Sequence, residues 1–493
     1  MEPPPKKAAV DSKGSLPVGL RERLEKFGQE HTLHWLDVGK LSAAAAEDLA
    51  AQLESLDLAR INDAFNSTHV DAGALAERAI EPPEPSSLIS LASLPPEDRD
   101  RFEKIGMEEI TSGRAAVVIL GGGQGTRLGF DGPKGLYDVG LPSKKSLFQL
   151  YAERLVRLQK VASETAPSKV VVPLFVMTSP LNHATTASFF EANSYFGLEK
   201  DHVHFFAQGT LPALTTDGKI IMTRGSSVSE SPDGNGGIYN ALAVSGALTT
   251  LEEQYGARSV HVFSVDNAIC KVCDPAFLGV CVDRDVEVGN KVVWKVAPEE
   301  KVGVVARKGG LPAVIEYTEL AKENAEATDA AGKLLFGAGN ICQHYFTVSF
   351  LRRVATAYKE TPSLIPYHIA KKKIPFADPA TGSMVAALEP NGIKLEAFIF
   401  DSFPLAANSV ILEVKREEEF SPVKNAPGSA SDSPDTARAM IMALHRRWAV
   451  AAGASISDHG AAFEVSPLIS FSGEGLGPIL KGRTFDGEPT HLE

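Results

Sequence analysis

The sequence predicts an α/β fold in which helices cover a mixed β-sheet. From about residue 114 onward, short apolar runs rich in β-branched residues alternate with segments whose apolar residues recur at helical spacing. This alternation is typical of parallel strands connected by helices. Segment 286–305 instead has the character of an antiparallel insertion, which makes the expected sheet mixed.

Three domains are expected, because 493 residues exceed one ordinary core. Residues 1–110 form a mostly helical N-terminal region, with helices expected at 21–27, 42–58 and 97–112 and a proline-rich linker at 82–87. Residues 111–415 form the central domain and residues 416–493 a small C-terminal domain. The elements expected in them are strands at 114–119, 169–178, 203–207 and 260–265, helices at 143–162, 238–251 and 436–449, and a loop at 425–435.

The composition excludes several classes of protein. A net charge of −13 argues against a nucleic-acid-binding surface. No apolar run approaches the ~18 residues needed to cross a bilayer, and residues 1–7 lack the apolar segment of a signal peptide. Four cysteines in so long a chain indicate a reducing compartment, so we expect a cytoplasmic protein. Cys270 and Cys273 form a Cys-x-x-Cys pair, which is interpreted as buried thiols rather than redox chemistry or half a zinc site.

A glycine-rich loop follows the first strand of the central domain. Glycines let the backbone take positive φ angles and bring its N–H groups close to a phosphate. Arg127 and Lys134 add positive charge beside these N–H groups, so the loop predicts a nucleoside triphosphate site at the carboxyl end of the sheet. Its expected binding residues are Leu120, Gly121, Gly122 and Gly123.

Two better-known glycine loops do not match. In a Walker loop the lysine is followed by Ser or Thr, whereas Lys134 lies between Pro133 and Gly135. A dinucleotide-binding loop needs a third glycine where Leu128 stands, and the next strand offers no acidic residue for a ribose.

The loop is similar to the signature of the sugar-nucleotide pyrophosphorylases, Gly-Gly-x-Gly-Thr-Arg-x-Gly followed by Pro-Lys. Its form here, at 122–129 and 133–135, resembles the eukaryotic UDP-N-acetylglucosamine pyrophosphorylases, and further similar segments extend to about residue 476. UDP-glucose pyrophosphorylases usually lack the Gln and Arg of this loop. The resemblance implies a Rossmann-like, glycosyltransferase-A-like nucleotidyltransferase fold.

The resemblance also implies a set of site residues. Gln208 would recognise uracil, since a carboxamide offers both a donor and an acceptor. Asp266 would hold Mg²⁺, or Mn²⁺ in its place, because hard cations prefer oxygen ligands. The loop residues Gly234 and Asn235 would bind uracil and sugar, and Lys394 and Lys424 would bind phosphate. The remaining sugar-binding positions are Gly303, Glu316, Tyr317, Asn340 and the acyl-pocket aromatics Phe398 and Phe400.

Each of these residues also has an ordinary structural interpretation. Gln208 could cap a strand end, 232–237 could be a plain turn, and Asp266 could cap a helix. Alternating aromatics on a strand at 393–401 could be core, and a lone lysine is usually a solvated charge.

The implied reaction converts UTP and N-acetylglucosamine 1-phosphate into UDP-N-acetylglucosamine and pyrophosphate, catalysed by Arg127, Lys134, Lys394 and Lys424. A sugar phosphate is already an anionic nucleophile, so no activating base is needed. One alternative is a broader UDP-sugar pyrophosphorylase that accepts glucose, galactose or N-acetylgalactosamine 1-phosphate. Another is an inactive sugar-nucleotide sensor. No nucleic-acid or membrane partner is expected, and the protein would be a monomer or homodimer.

Overall fold

The structure, a computed structural model, describes residues 16–74, 79–361, 364–457 and 461–493. The expected absence of a signal peptide concerns residues 1–7, which lie outside the described residues. The chain divides into two compact units. The small unit combines Met1–Arg78, Gly209–Gly237 and Ala357–Asp401, and the large unit combines Ala79–Gln208, Ile238–Thr356 and Ser402–Glu493.

A mixed sheet of 11 strands forms the centre of the large unit in the described part of the chain. In chain order its strands are β1 Ile80–Glu81, β2 Leu88–Ser90, β3 Ala115–Leu120, β4 Leu174–Thr178, β5 Val203–Ala207, β6 Ser259–Ser264, β7 Val288–Trp294, β8 Val304–Lys308, β9 Leu311–Ile315, β10 Ala338–Thr347 and β11 Ser409–Glu413. Their order across the sheet is β2-β11-β7-β10-β6-β3-β4-β5, with β8 joining β10 to β1 and β9. The mixed α/β sheet expected from the sequence is confirmed.

Strand β3 places the glycine-rich loop at one edge of the sheet. All six of its residues are buried, as its continuous apolar run predicts. It pairs in parallel with β4 on one side and β6 on the other, with Leu120 opposite Met177 and Ser264. Because these strands are parallel, the segments that leave their carboxyl ends meet at the same edge.

Helices cover this sheet. Those of the large unit are Pro96–Thr111, Leu147–Thr165, His183–Ala192, Ile238–Val244, Ala247–Thr249, Pro275–Asp283, Lys322–Glu326, Arg416–Glu419, Pro434–Ala451 and Gly477–Leu480, and Val348–Glu360 continues into the small unit. The helix Leu147–Thr165 begins at Ser146, whose hydroxyl accepts a hydrogen bond from Gln149 N. Its predicted apolar stripe is buried, including Tyr151 and Leu155.

The small unit contains short helices and two-stranded sheets. Its helices are Leu20–Lys26, His34–Asp37, Ala43–Ser55 and Leu58–Ala74, and its strands are Thr210–Pro212, Met222–Arg224, Ser227–Val228, Glu230–Pro232, His368–Lys372, Phe376–Ala377, Met384–Val385 and Gly392–Glu396. The predicted N-terminal helices are therefore confirmed. Ser42 begins the alanine-rich one, where its hydroxyl accepts a hydrogen bond from Ala45 N.

The C-terminal residues have a small core of their own, built by Phe463, Val465 and Leu480 with neighbouring alanines. Parallel pairs of short strands surround it, Ser455–Ile456 with Thr484–Phe485 and Phe463–Val465 with Thr490–Leu492.

Two predicted elements differ in the structure. The helix predicted at 238–251 is interrupted, because Gly246 takes a left-handed conformation with φ 78°. The strand predicted at 393–401 ends at Glu396. A 3₁₀ helix, Ile399–Leu405, follows it, so the prediction that Phe398 and Phe400 alternate on a strand is wrong. The compact units each combine stretches that are distant in the chain. The three domains predicted from the sequence, divided at residues 110 and 415, are instead consecutive stretches.

Candidate active site

The glycine-rich loop folds back on itself at the carboxyl end of β3. Gly125 N donates to Gly132 O over 2.8 Å, and Lys134 N donates to Gly123 O over 3.0 Å. Gln124 and Pro133 form an isolated antiparallel bridge between the two arms. The loop therefore has a defined shape in which Lys134 is fixed beside Gly123.

Two side chains from β4 and β5 pack against the start of this loop. Asn182 is buried and donates from Nδ2 to Gly121 O over 3.2 Å. Gln208 follows β5, and a methyl group added at Gly122 would lie 3.1 Å from Gln208 Oε1. The structure thus brings Gln208 against the glycine loop, and a larger residue at 122 would displace its carboxamide.

Asp266, Lys134 and Lys424 form a charged cluster beside the loop. Asp266 follows β6, and Lys424 Nζ lies 3.9 Å from its Oδ2. Burial opposes ionisation of Asp266, yet Lys424 and Lys134 hold the pKa of its carboxyl below the ordinary value. Burial also lowers the pKa of Lys134, with Lys424 and Arg127 acting in the same direction. Asp266 is therefore an ionised carboxylate at neutral pH.

Arg127 lies in the short 3₁₀ helix Thr126–Leu128 of the same loop and is exposed. Exposure leaves its guanidinium accessible to an anion in solution. Its positive charge contributes to the lowered pKa of Lys134. Lys134 and Lys424 therefore act electrostatically on Asp266, whereas the charge of Arg127 acts on Lys134.

A second group of predicted residues lies at the base of the β8–β9 hairpin. Gly303 precedes β8 and Glu316 follows β9, and Val304 pairs with Ile315 between them. A methyl group at Gly303 would lie 2.8 Å from Glu316 Oε1, and Asn340 N donates to Gly303 O over 2.8 Å. The structure therefore brings these three residues together.

Asn340 and Tyr317 complete the description of this group. Asn340 Oδ1 accepts a hydrogen bond of 3.0 Å from Cys342 N, which fixes the orientation of the carboxamide. The donor Nδ2 is then the group that Asn340 can offer to a ligand. Tyr317 is 45% exposed, so its ring is open to solvent.

In the small unit, loop 232–237 is held by residues 397–399. Asn235 Oδ1 accepts from Ile399 N over 3.0 Å, and Gly236 N donates to Ala397 O over 2.9 Å. Gly234 has φ 90°, and a methyl group there would lie 2.3 Å from Ala397 O. A larger residue at this position would displace the neighbouring backbone, so the close packing of the loop requires glycine here.

The predicted aromatics of the small unit pack together. The ring centroids of Phe398 and Phe400 are 5.0 Å apart, and those of Phe398 and His368 are 4.6 Å apart. Phe400 is buried and Phe398 is half-buried. Lys394 lies on the strand Gly392–Glu396, opposite Ala370 of the neighbouring strand.

The cysteine pair lies in the core of the large unit. Cys270 and Cys273 are free thiols with no exposed surface, and burial raises the pKa of both. The burial expected from the sequence is confirmed for both thiols.

Two residues beside the loop were not predicted from the sequence. Asn182 holds the start of the loop, and Asn267, directly after Asp266, is buried and hydrogen-bonded on both sides of its carboxamide. The only signal for either was an asparagine soon after a buried strand, which is usually a turn or cap residue.

No helix in the described part of the chain has the length and apolar character needed to cross a bilayer.

The fold and the loop define a nucleotidyltransferase-type α/β protein. A crystal structure of the uridine diphosphate N-acetylglucosamine pyrophosphorylase from Trypanosoma brucei in complex with inhibitor superposes with a TM-score of 0.81 at 34% identity, covering 93% of both chains. UDP-N-acetylglucosamine diphosphorylase 2 from Arabidopsis thaliana is 44% identical, over 94% of this chain and 92% of its own. UDP-N-acetylglucosamine pyrophosphorylase from Saccharomyces cerevisiae is 41% identical, over 94% of this chain and 98% of its own.

Residues 59–476 match the UTP–glucose-1-phosphate uridylyltransferase family, and the chain belongs to that family.

Proposed function

We propose that this chain transfers a uridylyl group from UTP to N-acetylglucosamine 1-phosphate. The observation that carries the proposal is the cluster of Asp266, Lys134 and Lys424 beside the glycine loop. That cluster matches the needs of a reaction in which a triphosphate is cleaved. The choice of N-acetylglucosamine as the sugar rests on relatives named for that sugar, which are similar over nearly the whole chain.

In this reaction a phosphate oxygen of the sugar 1-phosphate attacks the α-phosphorus of UTP. The bond between that phosphorus and the β-phosphate oxygen breaks, and pyrophosphate leaves with the electron pair. The nucleophile is already ionised, so the protein has to align the reactants and neutralise charge. Arg127 and Lys134 act on the β- and γ-phosphates. Lys394 and Lys424 act on the sugar phosphate and the α-phosphate.

The donor set around Asp266 fits a magnesium ion. Among the described residues no three His, Cys, Asp or Glu side chains are grouped to hold a metal. A single ionised carboxylate still suits Mg²⁺, which usually keeps waters and takes its other ligands from substrate phosphates. Asp266 would hold the ion, with Mn²⁺ able to replace Mg²⁺, and the bound ion would neutralise phosphate charge.

The sugar preference is assigned to the group at the β8–β9 hairpin. Glu316 can accept hydrogen bonds from sugar hydroxyls, and Tyr317 offers an exposed ring beside it. The fixed carboxamide of Asn340 presents its N–H donor, which suits the carbonyl oxygen of an acetamide. The role of acyl-pocket aromatics is assigned separately to Phe398 and Phe400 of the small unit.

Uridine recognition is assigned to Gln208 with the glycine loop and to loop 232–237. The carboxamide of Gln208 lies against Gly122 of the glycine loop and offers both a donor and an acceptor that suit the uracil edge. The rigid positions Gly234 and Asn235 then bind uracil and sugar.

The test is pyrophosphate release by the purified protein with UTP, Mg²⁺ and a panel of sugar 1-phosphates. The panel contains N-acetylglucosamine, N-acetylgalactosamine, glucose and galactose 1-phosphates, each varied in concentration at one fixed UTP concentration. We expect the highest kcat/KM for N-acetylglucosamine 1-phosphate. Lys160→Ala, a change of an exposed helical lysine, should retain wild-type activity, whereas Lys424→Ala should lose most of it.

Similar kcat/KM values for several sugars would establish the broader UDP-sugar pyrophosphorylase instead. Binding of UDP-N-acetylglucosamine by calorimetry without turnover of any sugar phosphate would establish a sensor.

A further inference from the structure

The segment that carries Lys424 is attached to the segment that carries Asp266 by few hydrogen bonds. An isolated antiparallel bridge pairs Asn267 with Pro422. Within it, Ala268 N donates to Ser421 O over 3.0 Å, and Val423 N donates to Asp266 O over 2.9 Å. These two backbone bonds alone would leave a short and weak pairing.

The side chain of Asn267 adds two more hydrogen bonds to the same pairing. Its Oδ1 accepts from Ser421 N over 2.9 Å, and its Nδ2 donates to Glu419 O over 2.7 Å. The residue is 1% exposed, so water cannot replace either partner. Two of these four hydrogen bonds between the Asp266 segment and the Lys424 segment are therefore made by the carboxamide of Asn267.

The segment 419–424 is anchored at its other end by buried charge. The carboxylate of Glu419 is paired with the ammonium of Lys291 and lies 3.3 Å from Lys271 Nζ. Lys291 is also paired with Asp274 over 2.5 Å. Glu419 is thus fixed at one end, and Lys424 N donates to Asp432 O over 2.7 Å at the other, so the placement of this segment against Asp266 depends on how the backbone between Glu419 and Lys424 is held.

The position requires a carboxamide on a side chain of the length of asparagine. The carboxamide faces a backbone N–H with its oxygen and a backbone C=O with its nitrogen. Aspartate offers two acceptors and would leave Glu419 O facing a carboxylate. Alanine removes both bonds: the buried Ser421 N loses this acceptor, which costs more than the bond itself contributes, while Glu419 O retains a longer hydrogen bond of 3.4 Å from Gln343 Nε2.

From this geometry we infer that Asn267 is a positioning residue, which fixes the Lys424 segment against Asp266 so that the lysine ammonium stays beside the reacting phosphates. Asn267 itself touches neither substrate nor metal in this inference. The inference rests on the proposed uridylyl transfer, because it assigns the effect of Asn267 to Lys424.

A double-mutant cycle of Asn267→Ala and Lys424→Ala tests it. Loss of a charge-assisted hydrogen bond of ~1.5–3 kcal/mol predicts that Lys424→Ala lowers kcat roughly 10- to 100-fold. Asn267→Ala should lower kcat about tenfold with the KM for UTP within about threefold. The double variant should be no slower than Lys424→Ala, because residues that act through one another are not additive.

Ser421→Ala is the matched control. Ser421 lies on the same segment and is buried, yet its hydroxyl has no hydrogen-bond partner among the described residues. This variant should keep the wild-type kcat, which shows that disturbing a buried side chain of the segment is not enough.

Amide hydrogen exchange of Val423 without substrate provides a readout that does not need activity. Asn267→Ala should speed this exchange about tenfold or more, and Ser421→Ala should not. Multiplicative effects in the cycle, or an unchanged exchange rate, would overturn the positioning role. An inactive wild type would overturn the proposed function, and the exchange rates would then decide on their own whether Asn267 holds the segment.

Discussion

Replacing Asp266 with asparagine separates a metal ligand from a helix cap. The substitution keeps the shape of the side chain and its capacity to accept a hydrogen bond, but it removes the negative charge. In the native protein that charge lies 3.9 Å from Lys424 Nζ. Lys424 and Lys134 keep the pKa of Asp266 low despite burial, so the carboxylate is ionised at neutral pH.

The expected cost in stability is small. Two charges about 4 Å apart interact by roughly 4 kcal/mol at an effective dielectric constant of about 20. Lys424 is 42% exposed, however, so solvent screening reduces the net contribution to the ~0–1 kcal/mol of surface pairs. The variant should therefore unfold within a few degrees of the wild type. The expected loss of activity is much larger, about 100-fold or more, because a metal ion supplies several kcal/mol of charge stabilisation.

The assay is kcat as a function of Mg²⁺ concentration, with thermal unfolding measured on the same samples. Asp266→Asn should lose most activity at ordinary Mg²⁺ and recover part of it at high Mg²⁺. Asp100→Asn, a change of an exposed carboxylate on the helix Pro96–Thr111, serves as the control and should behave as wild type. Activity within a few-fold of wild type at ordinary Mg²⁺ would show that Asp266 holds no metal.

Three further predictions concern groups whose roles the structure defines. Replacing Cys270 and Cys273 together with alanine should leave kcat nearly unchanged, since both are buried thiols; abolished activity with release of bound zinc would contradict this. Burial raises the pKa of Asp233 to about 7. Between about pH 4 and pH 7 Asp233 ionises only in the unfolded chain, so the free energy of unfolding falls as the pH rises through this range. Asp233→Asn should therefore be more stable than the wild type above pH 7, by at most ~4 kcal/mol in urea unfolding, and equally stable at pH 4. Gly234→Ala should weaken binding of UDP-N-acetylglucosamine in calorimetry, because its methyl group would lie 2.3 Å from a carbonyl oxygen. Gly246→Ala has a similar φ with open space around it, and equal binding by the two variants would refute the argument.

Sequence patterns predicted the elements in which buried residues follow a regular spacing. Strand β3 is buried throughout, and its continuous apolar run located both the strand and the loop that follows it. The helix at Leu147–Thr165 was predicted from one apolar stripe. Failures occurred where a single backbone conformation decides the outcome, as at Gly246, whose positive φ breaks a helix of otherwise continuous pattern.

The site was predicted in part, for a physical reason. Residues in the glycine loop are close in sequence, so their motif shows them together. Asp266 and Lys424 are far apart in the chain and are brought together by the bridge between Asn267 and Pro422 and by the side chain of Asn267. A buried asparagine that pairs with distant backbone groups leaves no pattern in a single sequence. The same holds for the two compact units, which assemble from stretches that local periodicity cannot connect.

The measurement that tests the central claim most directly is a comparison of kcat and UTP affinity for Lys134→Ala. Lys134 follows Pro133, and its backbone N–H donates to Gly123 O over 3.0 Å, so its backbone is fixed beside the loop, and its charge interacts with that of Asp266. Charge on the leaving pyrophosphate grows during the reaction, so most of the interaction should appear in the transition state. We predict a kcat lowered about 100-fold or more, corresponding to ~3 kcal/mol, with UTP affinity from calorimetry changed far less. A variant that binds UTP poorly but turns over normally at saturation would contradict the claim.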